Sequence, residues 1–203
     1  MDQVRGLRDA GRFLEAARRA GEYLRRRPAD PDGHAALGSV HLYAGRAADA
    51  AASFLQAIRL APDIAQHHHD LGFALETMGR DAEAIGALRR AVALDARHAE
   101  ALERLGVMLL DHGQREEAID CFRRVATLEG DTVLGRISRA KVLLEEGKRT
   151  EVVALLDDTI ARFPANTEAK RFLAAILREQ GRFDEAIPLL EAATEGSPAQ
   201  AAT

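Results

Sequence analysis

Three consecutive histidines, His67-His68-His69, are the residues of this chain whose type most invites chemistry. Imidazole is a common metal ligand and titrates near neutrality. Neighbouring residues of a helix point about 100° apart, however, so three in a row cannot converge on one ion. His68 is therefore expected to be a packing residue, as is His34, which stands in the same place one repeat earlier. A metal site would need a distant partner, His69 with Glu103 or His67 with His98. That is the lesser reading, and no metal and no cofactor are expected. Covalent chemistry is served no better. The single cysteine, Cys121, sits beside Phe122 and reads as a packed small residue. There is no glycine-rich phosphate loop, no HExxH and no Ser or Cys in a nucleophile-type turn, so an enzyme is not expected.

The elements that carry these residues are helical by composition. The 203 residues are 47% apolar and 30% charged but only 4% aromatic, with no Trp. This is the Ala/Leu/Arg/Glu mixture that favours helix. A formal charge of −4 gives no overall basic excess, so neither nucleic acid nor an anionic membrane is an expected partner. The charge is uneven all the same. Residues 1–30 hold eight Arg against five acids, and residues 65–135 eight Arg against thirteen acids. The Arg-rich start reads as a solvated helix face, with a docking patch for an acidic partner as the alternative. One cysteine excludes an internal disulfide. No apolar run is long enough for a signal peptide or a membrane span, and a cytoplasmic location is expected.

Internal periodicity decides the architecture. Gly11, Gly45, Gly79, Gly113, Gly147 and Gly181 are each 34 residues apart. Five residues beyond each comes Ala16, Ala50, Ala84, Ala118, Val152 or Ala186, and seventeen beyond comes Pro28, Pro62, Ala96, Gly130, Pro164 or Pro198. Within Ala65–His98 the physics of one unit is readable. His68, Leu71, Gly72 and Leu75 form the stripe of a first helix, and Ala84, Leu88 and Ala91 that of a second. Gly79 supplies the left-handed turn between them. Gly72 and Ala84 are small where the two backbones meet, and a larger side chain there would overpack by roughly 1–3 kcal/mol. The proline then ends the pair.

These residues resemble the tetratricopeptide repeat: Leu37-Gly38, Leu71-Gly72 and Leu105-Gly106, then the turn glycine, the alanine, Phe54, Leu88 or Phe122, and the proline. The resemblance covers nearly the whole chain. It implies an all-α fold, a right-handed superhelical solenoid of about six antiparallel helix pairs. The expected units are 1–30 (partial), 31–64, 65–98, 99–132, 133–166 and 167–200, forming a single domain over 1–200, with 201–203 as a tail.

It also implies a function. The family commonly holds a peptide or protein segment in the concave face built from the first helix of each pair. Carried onto this chain, the positions on that face include Ser39, Leu42, Tyr43, His69, Phe73, Glu76, Glu103, Val107, Leu110, Ile137, Lys141, Leu144, Arg171 and Arg178. Leu42, Phe73, Val107 and Leu110 would supply apolar anchors, acids its middle and Arg171 and Arg178 its end. A partner with apolar anchors and some basic side chains would suit it. The Lys/Asn/Arg clamp with which some family members hold acidic chaperone tails is not matched, because Ser39, Phe73, Val107, Lys141 and Ala175 occupy the deciding position.

The fifth unit departs from the pattern, with Arg139 and Ala140 where Leu-Gly is usual. Its stripe of Leu134, Ile137 and Leu144 is turned by about one residue, or ~100°. In one reading the helix rotates so that the stripe still faces the core and Arg139 is solvated. In the other the stripe lines the groove. At the far end Ile187, Leu189 and Leu190 are expected to meet water unless something covers them. The alternatives to a partner-binding adaptor are therefore a scaffold that self-associates through its ends, or the recognition module of a larger enzyme, the Arg/Ala-rich style resembling modules that precede bacterial transferase domains.

Overall fold

The computed structural model describes residues 1–195. Pro198, the last stretch of the expected unit 167–200 and the tail 201–203 lie outside the described residues. Among the described residues there are twelve α-helices and no strand. They are α1 (Asp2–Asp9), α2 (Phe13–Arg26), α3 (Pro31–Tyr43), α4 (Ala47–Leu60), α5 (Ala65–Thr77), α6 (Asp81–Leu94), α7 (Ala99–Asp111), α8 (Arg115–Glu129), α9 (Val133–Glu145), α10 (Arg149–Arg162), α11 (Thr167–Glu179) and α12 (Phe183–Glu195). The chain divides into two compact units, Met1–Leu109 and Leu110–Thr203.

The periodic glycines are the corners. All six have φ between 70° and 78°. An added Cβ would touch nothing at any of them, so what selects glycine is the left-handed backbone and not space. At Gly79 the amide donates to Glu76 O at 2.9 Å and the next amide, of Arg80, to Leu75 O at 3.0 Å. The last carbonyls of α5 are satisfied in this way as the chain turns.

In the first unit α3 packs on α4, α5 on α6 and α4 on α5. Gly72 sits where a Cβ would meet Leu88 Cγ at 2.8 Å, and Gly38 where one would meet Phe54 Cε1 at 2.7 Å. Leu88, Phe54 and Ala84 are fully buried against these bare backbones. Glycine inside a helix costs about 1 kcal/mol relative to alanine, and the close approach it permits offsets that cost. The histidines differ from expectation. His68 is only half-buried, and its Nε2 lies 2.8 Å from Pro62 O. His34 repeats this at Pro28 O, 2.9 Å away. Each imidazole thus ties its helix to the carbonyl of the helix-ending proline, which has no second-helix donor left to pair with it. The packed ring of the run is His67, 3% exposed.

The second unit closes its first joint differently. Gly130 stands in the proline position with φ 55°, and α8 continues to Glu129. Thr132 then caps α9, its hydroxyl accepting from Gly135 N at 3.2 Å. Gly135 is required because a Cβ there would run into Gly130 O. Arg136, in the first turns of α9, is 4% exposed. Its Nε donates to Thr159 Oγ1 at 2.9 Å and its Nη1 to Asp131 Oδ1 at 2.9 Å, while Nη2 pairs with Asp158. Arg162 joins the same carboxylates, at 2.8 Å from Asp131 and 3.3 Å from Asp158.

This buried guanidinium rotates α9 so that its shifted stripe meets the core. Ile137 and Ala140 are fully buried with Val152, Leu156 and Leu173, and Arg139 is exposed. The assignment of Ile137 to the open face is therefore corrected: it is a core residue, because Arg136 claims the neighbouring buried position and sets the rotation. At α12, Ile187 and Leu190 are exposed as expected, but Leu189 packs partly against the core.

Candidate functional site

The first helices of the first unit, α1, α3, α5 and α7, carry most of the residues expected on a partner-binding face. Tyr43 is 63% exposed at the end of α3, and Phe73 is 37% exposed in the middle of α5. Ser39, Leu42, His69, Glu76, Glu103 and Val107 are half-buried beside them. Two exposed aromatic rings in one unit are unusual enough to ask what holds them.

Each ring is covered by an arginine from a neighbouring first helix. The guanidinium of Arg8 lies 5.0 Å from the Tyr43 ring centroid, and Arg8 Nη1 donates to Ser39 Oγ at 2.7 Å. The guanidinium of Arg104 lies 4.0 Å over Phe73, and its Nη1 donates to Glu76 Oε2 at 2.6 Å. In both cases hydrogen bonding fixes the guanidinium plane and the ring supplies a further contact, a cation–π arrangement worth about 0.5–1 kcal/mol at an exposed site. The rings are thereby held in one rotamer with an edge left free. A rigid, amphipathic ring of this kind is what a partner's side chain can pack against at little entropic cost. Arg8 and Arg104 were not singled out in the sequence. The periodicity that located Tyr43 and Phe73 could have found them, because both lie on first helices next to the aromatic positions.

His67 and His69 mark the other end of the same face. His69 Nδ1 is 3.0 Å from Asp70 Oδ1, and its ring lies 5.1 Å from that of His98. The structure thus brings His69, not His67, to His98. No three His, Cys, Asp or Glu side chains among the described residues gather in a metal-binding arrangement. Burial holds the His67 imidazole below its ordinary pKa, with Asp32 and Asp70 pulling the other way.

In the second unit Leu110, Lys141 and Leu144 are half-buried, while Arg171 and Arg178 are exposed. Lys141 Nζ lies 5.2 Å from the Phe122 ring and 4.0 Å from Glu168. Leu144 leans against the core. Exposed aromatics are lacking on this stretch of first helix among the described residues; its character is cationic. Cys121 is buried and unbridged.

Comparison with known proteins agrees with this anatomy. The model of the tetratricopeptide repeat matches residues 1–68, 69–131 and 137–201, and the chain belongs to that family. Among solved structures it is similar to MamA, at 22% identity and a TM-score of 0.59 over 100% of this chain and 99% of that one. It is similar also to a tetratricopeptide repeat protein from Parabacteroides merdae ATCC 43184, at 18% identity and a TM-score of 0.76, covering 97% of this chain and 78% of that one. The pilF protein of Pseudomonas aeruginosa matches at 21% identity and a TM-score of 0.66, over 85% of this chain and 78% of the other. At these identities the likeness is one of fold. No curated protein matches. Proteins of this family generally mediate protein–protein interactions, and none of the described helices is long and apolar enough to cross a membrane.

Proposed function

We propose that the protein is a non-catalytic adaptor that holds a peptide or protein segment on its first-helix face, with the centre of the site in the first unit. The observation that carries this reading is the pair of exposed rings, Tyr43 and Phe73, each locked by an arginine. Partner side chains of apolar character would pack on the ring edges, and Glu76 and Glu103 would favour basic residues between them. Ser39, Leu42, His69 and Val107 complete the surface. The cationic stretch of Lys141, Arg171 and Arg178, with Leu110 and Leu144, would suit a separate acidic stretch of the partner. We keep the cytoplasm as the site of action, where the buried Cys121 thiol, which is in no disulfide, would stay reduced.

The test is a peptide selected from a random library against the full chain and measured by fluorescence anisotropy. Phe73→Ala should weaken it at least about tenfold, the effect of losing a central aromatic anchor, with no change in helicity. Leu14→Ser, on the exposed side of α2, should leave affinity unchanged. Equal loss in both variants, or loss in neither, would place the site elsewhere.

A second reading is self-association through α12, where Phe183, Ile187 and Leu190 are 57%, 52% and 42% exposed. Light scattering over a range of concentrations tests it. A molecular weight that rises and is returned to that of a single chain by Ile187→Glu would support it, and a constant single-chain weight would remove it.

A further inference from the structure

A cleft of about 250 Å³ opens between α1, α3 and α5 of the first unit, apart from the two aromatic rings. Its walls carry opposite charge. Arg5 and Arg8 come from α1, Asp32 from the first turn of α3 and Asp70 from α5, with Ser39 and His67 between them. What these groups already do decides what they can still hold.

Arg8 is spent: its Nε donates to Asp9 at 2.8 Å and its Nη1 to Ser39 at 2.7 Å. Arg5 has only a loose approach to Asp2, at 3.7 Å, with both side chains exposed. Asp70 receives Gln66 Nε2 at 2.7 Å and His69 at 3.0 Å on Oδ1 alone, leaving Oδ2 open. The nearest ionic partner of the Asp32 carboxylate is His67 Nε2, at 4.0 Å. His67 itself is 3% exposed, and its Nδ1 has no hydrogen-bond partner. That nitrogen is sealed from the cleft and the Ala61 backbone lies beside the ring, so His67 forms part of the wall and is not one of the groups that hold a ligand.

We propose that this cleft binds a dipolar head group, an ammonium and a carboxylate held side by side, as a free amino acid or an adjacent Lys-Glu pair in a peptide presents them. The ammonium goes to the wall of Asp32 and Asp70, and the carboxylate to the Arg5 guanidinium, where a planar fork matches it. A ligand with one charge would face one wall of its own sign. The cleft lies below the usual volume of about 300 Å³ and upward for drug-sized pockets, which suits a group this small. The site adjoins the proposed partner-binding face and shares Arg8 and Ser39 with it, but the groups that would hold the ligand, Arg5, Asp32 and Asp70, are not part of that face.

Isothermal titration calorimetry on the full chain tests the proposal with alanine, lysine and glutamate, with N-acetylalanine and alaninamide as singly charged counterparts, and with acetyl-Lys-Glu-amide. The dipolar compounds should bind at least about tenfold more tightly than the singly charged ones, a factor equal to one well-made charge interaction. Binding of the free amino acids identifies a small-molecule ligand, and binding of only the capped dipeptide identifies a peptide segment. Asp32→Asn and Arg5→Gln should each weaken the interaction about tenfold with unchanged circular dichroism. Phe73→Ala should leave it unaltered. No heat from any compound, equal binding of the singly charged ones, or indifference to both substitutions would overturn the proposal.

Discussion

The joint that links the hairpins around Pro62 and the joint around Gly130 serve the same purpose with opposite materials. At the first, a proline ends α4, His68 ties back to the proline carbonyl, and an apolar contact between Gly72 and Leu88 seals the next hairpin. At the second, the proline is replaced by a left-handed glycine, Thr132 caps the new helix, and the seal is a buried arginine held by Asp131, Asp158 and Thr159. Both hairpins keep an apolar close approach, Gly72 on Leu88 in one and buried Ala140 and Leu156 in the other, so the arginine stands beside the apolar filling and does not replace it. What the ionic filling adds is rotation: the guanidinium fixes how far α9 turns, and so which of its side chains reach the core.

The largest expected effect separates the two joints by chemistry. Arg136→Ala should destabilise the second unit by about 3 kcal/mol, because it leaves a void and strips Thr159 of a buried partner. Arg136→Met should cost under about 1 kcal/mol, since Asp131 and Asp158 are solvent-exposed and retain Arg162. Urea unfolding followed by circular dichroism measures both. If methionine is as damaging as alanine, the ion pairs and not the filled volume hold the joint.

At the apolar joint, Gly72→Leu should cost roughly 1–3 kcal/mol through the clash with Leu88. Gly79→Val, at the corner with φ 70°, should cost more than about 1 kcal/mol through backbone strain alone. An unchanged melting temperature for Gly79→Val would mean that the corner tolerates a right-handed turn. Thr132→Ala comes next, at about 1 kcal/mol for a lost helix cap.

Acidification should divide the regions in order, with the smallest individual effects. The folded state disfavours a proton on His67, so the unfolded chain takes it first, and the first unit begins to lose stability as pH falls below about 6.5. Asp131 is held below its ordinary value by hydrogen bonds from Arg136 and then Arg162. Its contribution is present above the unfolded carboxylate pKa and is lost as pH falls below about 4. Urea midpoints against pH should show both arms; Asp131→Asn should shrink only the lower one, which Asp30 and Glu146 share, and His67→Gln only the upper, which His41 shares.

Much of this was legible in residue spacing. The corner glycines, the small residues at Gly72 and Ala84 and the helical pairing follow from a period of 34, because each position has one dominant physical demand. The rotation of α9 was readable as a displaced stripe, but its outcome for Ile137 was not, since nothing in the pattern says that Arg136 is buried. An arginine is normally solvated, and its burial here is made possible by Asp131, Asp158, Thr159 and the Leu155 carbonyl, all of which accept from it. His67 was hidden for a related reason: the comparison of His68 with His34 drew attention to the tether and away from the packed ring. At the candidate site Tyr43 and Phe73 were found by position, whereas the arginines that hold them come from other helices.

The most direct test of a partner-holding face in the first unit is amide chemical-shift mapping with the library-selected peptide on isotope-labelled protein. The account expects the largest shifts on α3, α5 and α7, centred on Ser39, Tyr43, Phe73, Glu76 and Arg104, and little change on α4 and α6. Shifts concentrated on α4 and α6 instead would contradict it.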